Sequence, residues 1–124
     1  MRFFTEDEFK CSCGCGLGFE QMNDTFLSRL VFARGWSDVP YVINSAIRCE
    51  KCNKAVGGSA TSSHLKGLAV DIACPSSNAR FKIIHGLQIM KFTRFGIGFD
   101  FIHVDLDGDK PEKRMWIKEY LKRR

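Results

Sequence analysis

The sequence predicts an α+β fold: a small, mostly antiparallel sheet flanked by helices. Two segments, MNDTFLSRLVFARG and SSNARFKIIHGLQIMKF, repeat apolar residues at helical spacing. Three short runs, YVINSAI, LAVDIA and FGIGFDFIHVDLD, have the β-branched, alternating character of strands. Helices and strands are mixed without a repeating β-α unit, which favours α+β over a parallel α/β sheet.

The elements follow in order. TEDEF reads as a helix start, with Thr5 as N-cap and Glu8 completing a capping box; the glycines of CGCGLG stop it early. In the first long helix Phe26, Leu27, Leu30 and Val31 share a face, Asn23 or Asp24 is the cap, and Gly35 is the expected end. YVINSAI is a strand, and CNKAVGGSATSS reads as a polar loop of the kind that carries function. LAVDIA is a short strand. The second long helix is expected to be capped by Ser77 or Asn78, with Phe81, Ile84, Leu87 and Ile89 inward and His85 at its surface. FGIGFDFIHVDLD is either a strand pair or one bent strand.

At 124 residues the chain is expected to form one domain over 1–124. Hydrophobic residues at 44% supply a single core without disulfide stapling. No apolar run approaches the roughly 18 residues of a membrane span, so membrane insertion is not expected. The start, MRFFTEDEFK, lacks the apolar stretch of a secretory signal, so synthesis in the cytoplasm without a signal peptide is expected. The net charge of +5, concentrated in KRMWIKEYLKRR, favours polyanionic partners: nucleic acid, anionic lipid or an acidic wall polymer. Nothing in the sequence demands more than a monomer.

Six cysteines stand as Cys11, Cys13 and Cys15 in CSCGCG, Cys49 and Cys52 in CEKC, and Cys74 alone. In a chain of this type they argue for thiols or metal rather than a disulfide framework. The first five are candidates for a second, structural metal, with free thiols and a disulfide left open; Cys74 reads as a small core residue.

The chemistry lies in two strands. Alternation puts Ala69, Asp71 and Ala73 on one face of LAVDIA and Leu68, Val70 and Ile72 on the other. In FIHVDLD, Ile102, Val104 and Leu106 form the core face while Phe101, His103 and Asp105 share the opposite one. His64, in the loop before the first of these strands, can reach the same space. Two imidazoles and one carboxylate make a three-ligand Zn2+ site with a fourth position open to water, the pattern of a zinc hydrolase. A nearby carboxylate must then carry the proton, and Asp100, Asp105 and Asp107 are the candidates.

The stretch S-S-H-L-K-G-L-A-V-D, Ser62 to Asp71, resembles the SxHxxGxAxD signature of the zinc D-alanyl-D-alanine peptidases. These belong to the lysostaphin, D-Ala-D-Ala metallopeptidase and hedgehog-type fold group. INSAIRCEKCNKAVGG resembles that family's SGYR segment and following loop, and GIG with FIHVDLD resembles its last motif. The resemblance implies His64, Asp71 and His103 as zinc ligands, Arg48 as the group that holds a substrate carboxylate, and Ser62 near the substrate. The acid/base of relatives stands three residues before the last ligand, which is Asp100 here. Strand alternation instead favours Asp105 beside His103, with the alternative that Asp105 orients a ligand. Ile47 stands where SGYR has an aromatic, and Phe101 where some relatives carry a histidine.

The resemblance implies zinc-dependent hydrolysis of a peptide bond in the peptidoglycan stem, either a carboxypeptidase cut at D-Ala-D-Ala or an endopeptidase cut of the L-Ala–D-Glu type. A compact basic wall hydrolase of this kind is similar to a phage or prophage endolysin that reaches the wall after release. A non-catalytic zinc-containing binding module of the same fold is the alternative. A specific nucleic-acid binder is not expected, because no reading helix or aromatic platform is recognisable.

Overall fold

The structure is a computed structural model, and it describes residues 3–118. The last residues of the basic tail, 119–124, and any binding of wall polymers by them, lie outside the described residues.

The fold is α+β, as expected: the described residues form three α-helices and a five-stranded sheet in the order β1-β2-β4-β3-β5. The strands are β1 (Ile43–Ser45), β2 (Ala69–Ala73), β3 (Arg94–Ile97), β4 (Phe101–Asp105) and β5 (Arg114–Ile117). All neighbours are antiparallel except β3 and β5, which run parallel. FGIGFDFIHVDLD is therefore a strand pair, turning at residues 98–100.

Helix α1 (Asp24–Ser37) is capped by Asn23, whose Oδ1 accepts from Phe26 N at 2.9 Å. It runs through Gly35 and ends two residues later, where Asp38 takes the left-handed conformation at φ 57°. Phe26, Leu27 and Leu30 are buried as expected, while Val31 is only partly so. Helix α2 (Glu50–Ala55) takes in the first third of the segment read as a loop. Thr5 and Glu8 open a single 3-10 turn, Glu6–Phe9, in which Thr5 N donates to Glu8 Oε2 at 2.7 Å.

Helix α3 (Ser77–Ile89) starts one residue ahead of the expected caps, with Ser76 Oγ accepting from Ala79 N at 3.1 Å. Its buried face is also rotated from the expectation: Ile83, Gly86 and Leu87 are inward, and Phe81 is 72% exposed. The cause is Gly86. A Cβ there would collide with Ser37 Oγ and the Ala33 carbonyl, so the backbones of α1 and α3 meet at this residue and set the contact face. Helical spacing of large side chains could not reveal a face chosen by a missing one. His85 is exposed and Cys74 buried, both as expected.

The core gathers Phe26, Leu27, Leu30, Ile83 and Leu87 from the helices with Val70, Ile72, Phe95, Ile102 and Val104 from the sheet. Burying each of these large side chains contributes about 1.5–3 kcal/mol. The alternate residues of β2 and β4 therefore face away from the helices, and that second face is where the polar side chains stand.

Candidate metal centre

One row of residues crosses the polar face. Ser45 pairs with Asp71, Asp71 with His103, His103 with Gly96, and Gly96 with Trp116. Asp71 and His103 are thus direct cross-strand partners, held at close range by the ladder itself. His64 reaches them from a 3-10 turn, Ser63–Lys66, that ends on Gly67 at φ 70°. A Cβ on Gly67 would collide with the Gln21 carbonyl, so the signature glycine both reverses the chain and permits that approach. Ser62 Oγ accepts from His64 N at 3.2 Å and caps the turn while lining the same cleft as the two histidines.

Outer partners orient both rings. His64 Nδ1 lies 2.7 Å from the Ala46 carbonyl, an acceptor only, so Nδ1 carries the proton and Nε2 a lone pair. His103 Nε2 lies 2.8 Å from Asp105 Oδ2, so in the neutral ring Nε2 donates and Nδ1 carries the lone pair. Both inner nitrogens point at one carboxylate oxygen, Asp71 Oδ1, at 3.2 Å and 3.1 Å. Three acceptors converging in a buried site call for a cation between them. The three ligand atoms lie within 4.8 Å of one another. Ligands about 2.0–2.1 Å from a tetrahedral zinc stand roughly 3.3–3.4 Å apart, close to these spacings. The residues present fit such an ion.

The electrostatics of the two rings differ. Burial pushes the His64 pKa down, and the nearby Asp71 only partly opposes it, so the ring is held in its neutral, ligating form. For His103 burial acts the same way, but hydrogen bonds to Asp105 and Asp71 outweigh it and the net shift is upward. Asp71 and Asp105 are both held below the usual carboxylate range: burial opposes this, and the histidines, with Arg94 beside Asp105, overcome it.

The two acid/base candidates are placed very differently. Asp105 is 1% exposed, with Oδ2 on His103 and Oδ1 accepting from Arg94 Nε at 2.7 Å and Asp107 N at 3.2 Å. Asp100 stands in the β3–β4 turn and lines a cleft of about 620 Å³ together with Arg48, Asp71 and Phe101. His64, His103 and Asp105 line a second cleft of about 670 Å³, and Arg48 and Asp71 belong to both. Asp107, the third acid considered, is buried under Ser63 Oγ at 2.6 Å and Lys66 Nζ at 3.0 Å, and ties the His64 turn to the end of β4.

Arg48 is held on three sides. Its Nε donates to Ser45 Oγ at 3.0 Å, Nη1 to Asn53 Oδ1 at 3.1 Å, and Nη2 meets Asp71 Oδ2 at 3.4 Å. Asn53 is itself buried and donates to the Ser59 carbonyl at 2.8 Å. Gly58 lies so close that a Cβ would collide with the Asn53 amide. The NKAVGG run therefore works as a clamp on Arg48.

Sequence reasoning missed Arg94, Trp116 and Asn53. Gly96 has no side chain, so Trp116 leans across it toward His103, with ring centroids 5.7 Å apart. Arg94 sits beneath the same indole at 4.9 Å and grips the Pro111 carbonyl at 2.6 Å.

No curated protein matches the chain. A family model described as Peptidase M15 matches residues 2–105, which include all three convergent ligands, Arg48 and both acid/base candidates. The chain belongs to the peptidase M15 family, whose members are metal-dependent peptidases.

Proposed function

We propose that the protein hydrolyses a peptide bond in the peptidoglycan stem, using zinc held by His64, Asp71 and His103. The observation that carries the reading is the convergence of His64 Nε2 and His103 Nδ1 on Asp71 Oδ1, with both rings fixed from behind. A zinc ion bound there supplies a Lewis acid that polarises the scissile carbonyl and lowers the pKa of a bound water to about 7.

The chain's own groups do the rest. Arg48, at the junction of the two clefts, offers a positive charge to a carboxylate of the stem. Asp100 takes a proton from the attacking water on one carboxylate oxygen and delivers it to the departing amine nitrogen, so that water and peptide become acid and amine. Asp105 is the weaker shuttle candidate, because both of its oxygens are already engaged; it holds His103 in its ligating tautomer. Ser62 shapes the cleft wall and steadies the His64 turn. The basic charge favours an acidic wall, and we extend the reading to wall lysis of the phage-endolysin kind by a monomer.

The test is mass spectrometry of intact muropeptides incubated with zinc-loaded protein, with a chelated control. Chelator-sensitive loss of a terminal alanine identifies a carboxypeptidase, and release of the stem or cleavage of cross-links identifies an endopeptidase. No product on several wall types overturns the hydrolase reading and leaves a zinc-containing binding module.

A further inference from the structure

The protein carries a second group of sulfur ligands that the peptidase site does not use. The CSCGCG run forms a closed loop: Cys11 N donates to the Leu17 carbonyl at 2.9 Å, and Gly14 N to the Cys11 carbonyl at 3.3 Å. Gly14 at φ 76° and Gly16 at φ 99° take backbone conformations that other residues rarely adopt, and the loop turns its thiols together. Cys49 arrives from a distant part of the chain as the N-cap of α2. Cys11, Cys13, Cys15 and Cys49 place their sulfurs within 4.8 Å of one another.

We propose that Cys11, Cys13, Cys15 and Cys49 bind one structural zinc ion as a closed tetrathiolate site. The spacing argues for it directly. Four sulfurs each about 2.3 Å from a tetrahedral zinc stand about 3.8 Å apart. The observed separations are 3.8 Å for Cys11–Cys13, 3.8 Å for Cys11–Cys49 and 3.6 Å for Cys13–Cys49. A disulfide needs about 2.0 Å between sulfurs and pairs them two by two, whereas here three are mutually equidistant. Backbone donors already serve this group: Cys49 N points at Cys11 Sγ and Cys52 N at Cys49 Sγ, each at 3.4 Å. Such bonds stabilise thiolates, the form that binds metal. Cys13 and Cys15 are exposed, which would leave reactive thiols on the surface if no metal held them.

Cys52 is a fifth thiol at the edge of the quartet, 3.9 Å from Ser12 Oγ and in side-chain contact with Cys11, Cys13 and Cys49. With four protein ligands the site has no open position, so it is a scaffold rather than a second catalytic centre. What it holds in place is specific. Cys49 follows Arg48 directly, and Lys10, Ser12 and Cys52 line the same cleft as Arg48, Asp71 and Asp100. The metal would pin the 11–17 loop against the start of α2 and so fix one wall of that cleft.

The test is metal content and zinc X-ray absorption on the full chain, purified under reducing conditions. Wild type should carry two zinc ions per chain. A His64→Ala, His103→Ala double variant should keep one, with a sulfur-only shell at about 2.3 Å. A Cys13→Ser, Cys15→Ser variant should also keep one, now with a nitrogen and oxygen shell, and Cys52→Ser should keep two. The histidine variant leaves every cysteine in place, so its result stands even if the cysteine variant fails to fold. A histidine variant without zinc, a shell lacking sulfur, or a disulfide-bonded quartet in reducing buffer would overturn the proposal. Because the readout is coordination rather than turnover, a failure of the hydrolase reading leaves it untouched.

Discussion

Replacing Asp105 with asparagine should loosen the metal without emptying the fold. Asp105 accepts from His103 Nε2 at 2.8 Å and from Arg94 Nε at 2.7 Å, using one oxygen for each. Asparagine keeps one oxygen and turns the other into a donor. If the oxygen stays with Arg94, the new NH₂ faces His103 Nε2; the ring must then carry its proton on Nδ1, where the ligand lone pair is needed. If the amide rotates to save His103, the buried Arg94 loses its acceptor. Either arrangement leaves one buried group mismatched, at about 1–3 kcal/mol. Loss of a carboxylate behind a ligating histidine commonly costs 10–100-fold in metal affinity, which is about 1.4–2.7 kcal/mol and so of the same size. The assay is zinc titration of stripped protein against a chromophoric chelator, with His64→Ala as the blank for zinc held by thiols. An Asp105→Asn affinity within twofold of wild type would refute the argument that Asp105 sets the His103 tautomer.

Other consequences can be checked with the same material. Asp100→Asn should keep its zinc and its fold but lose roughly 10²–10⁴-fold in muropeptide turnover; unchanged turnover would move the proton transfer elsewhere. Gly58→Ala should push Asn53 off Arg48 and cost about 1–3 kcal/mol in denaturant unfolding, with a matching rise in KM; an unaltered KM would disconnect the clamp from substrate binding. Gly86→Ala should cost a similar ~1–3 kcal/mol in stability through the α1–α3 contact while leaving the zinc affinity as it was. Asp107 has its pKa lowered to about 2, with burial opposing and Ser63 and Lys66 prevailing. Its contribution to stability is therefore complete above the ordinary aspartate pKa and fades as pH falls toward about 2. Asp107→Asn should flatten that acid limb in a pH series of melting curves; an unchanged limb would place the acid sensitivity on other carboxylates.

The parts of this site that could be read from the sequence are those set by local period. Two-residue alternation alone puts Asp71 and His103 on the faces opposite Val70, Ile72, Ile102 and Val104, and the structure pairs them across β2 and β4. The SxHxxGxAxD run placed His64 within reach because Gly67 can turn the chain where it does. What escaped was decided by absences and by distant partners. Gly86 chose the buried face of α3 by lacking a side chain, so Phe81 and Ile84 were credited with positions that Ile83 and Gly86 hold, while Leu87 is buried as expected. Gly35 was expected to stop α1, but the helix continues to a left-handed Asp38. The strand Arg114–Ile117 joins β3 in parallel after an irregular stretch, a pairing with no local signature. Trp116 and Arg94 therefore came into view only with the fold, as did the double anchoring of Asp105 on His103 and Arg94.

Anomalous scattering at the zinc edge from crystals of the zinc-loaded protein tests the central claim most directly. The account expects a peak about 2.0–2.1 Å from His64 Nε2, Asp71 Oδ1 and His103 Nδ1, on the side open to the cleft. A zinc-loaded crystal with no peak there, or with zinc on His64 Nδ1 or His103 Nε2, would contradict it.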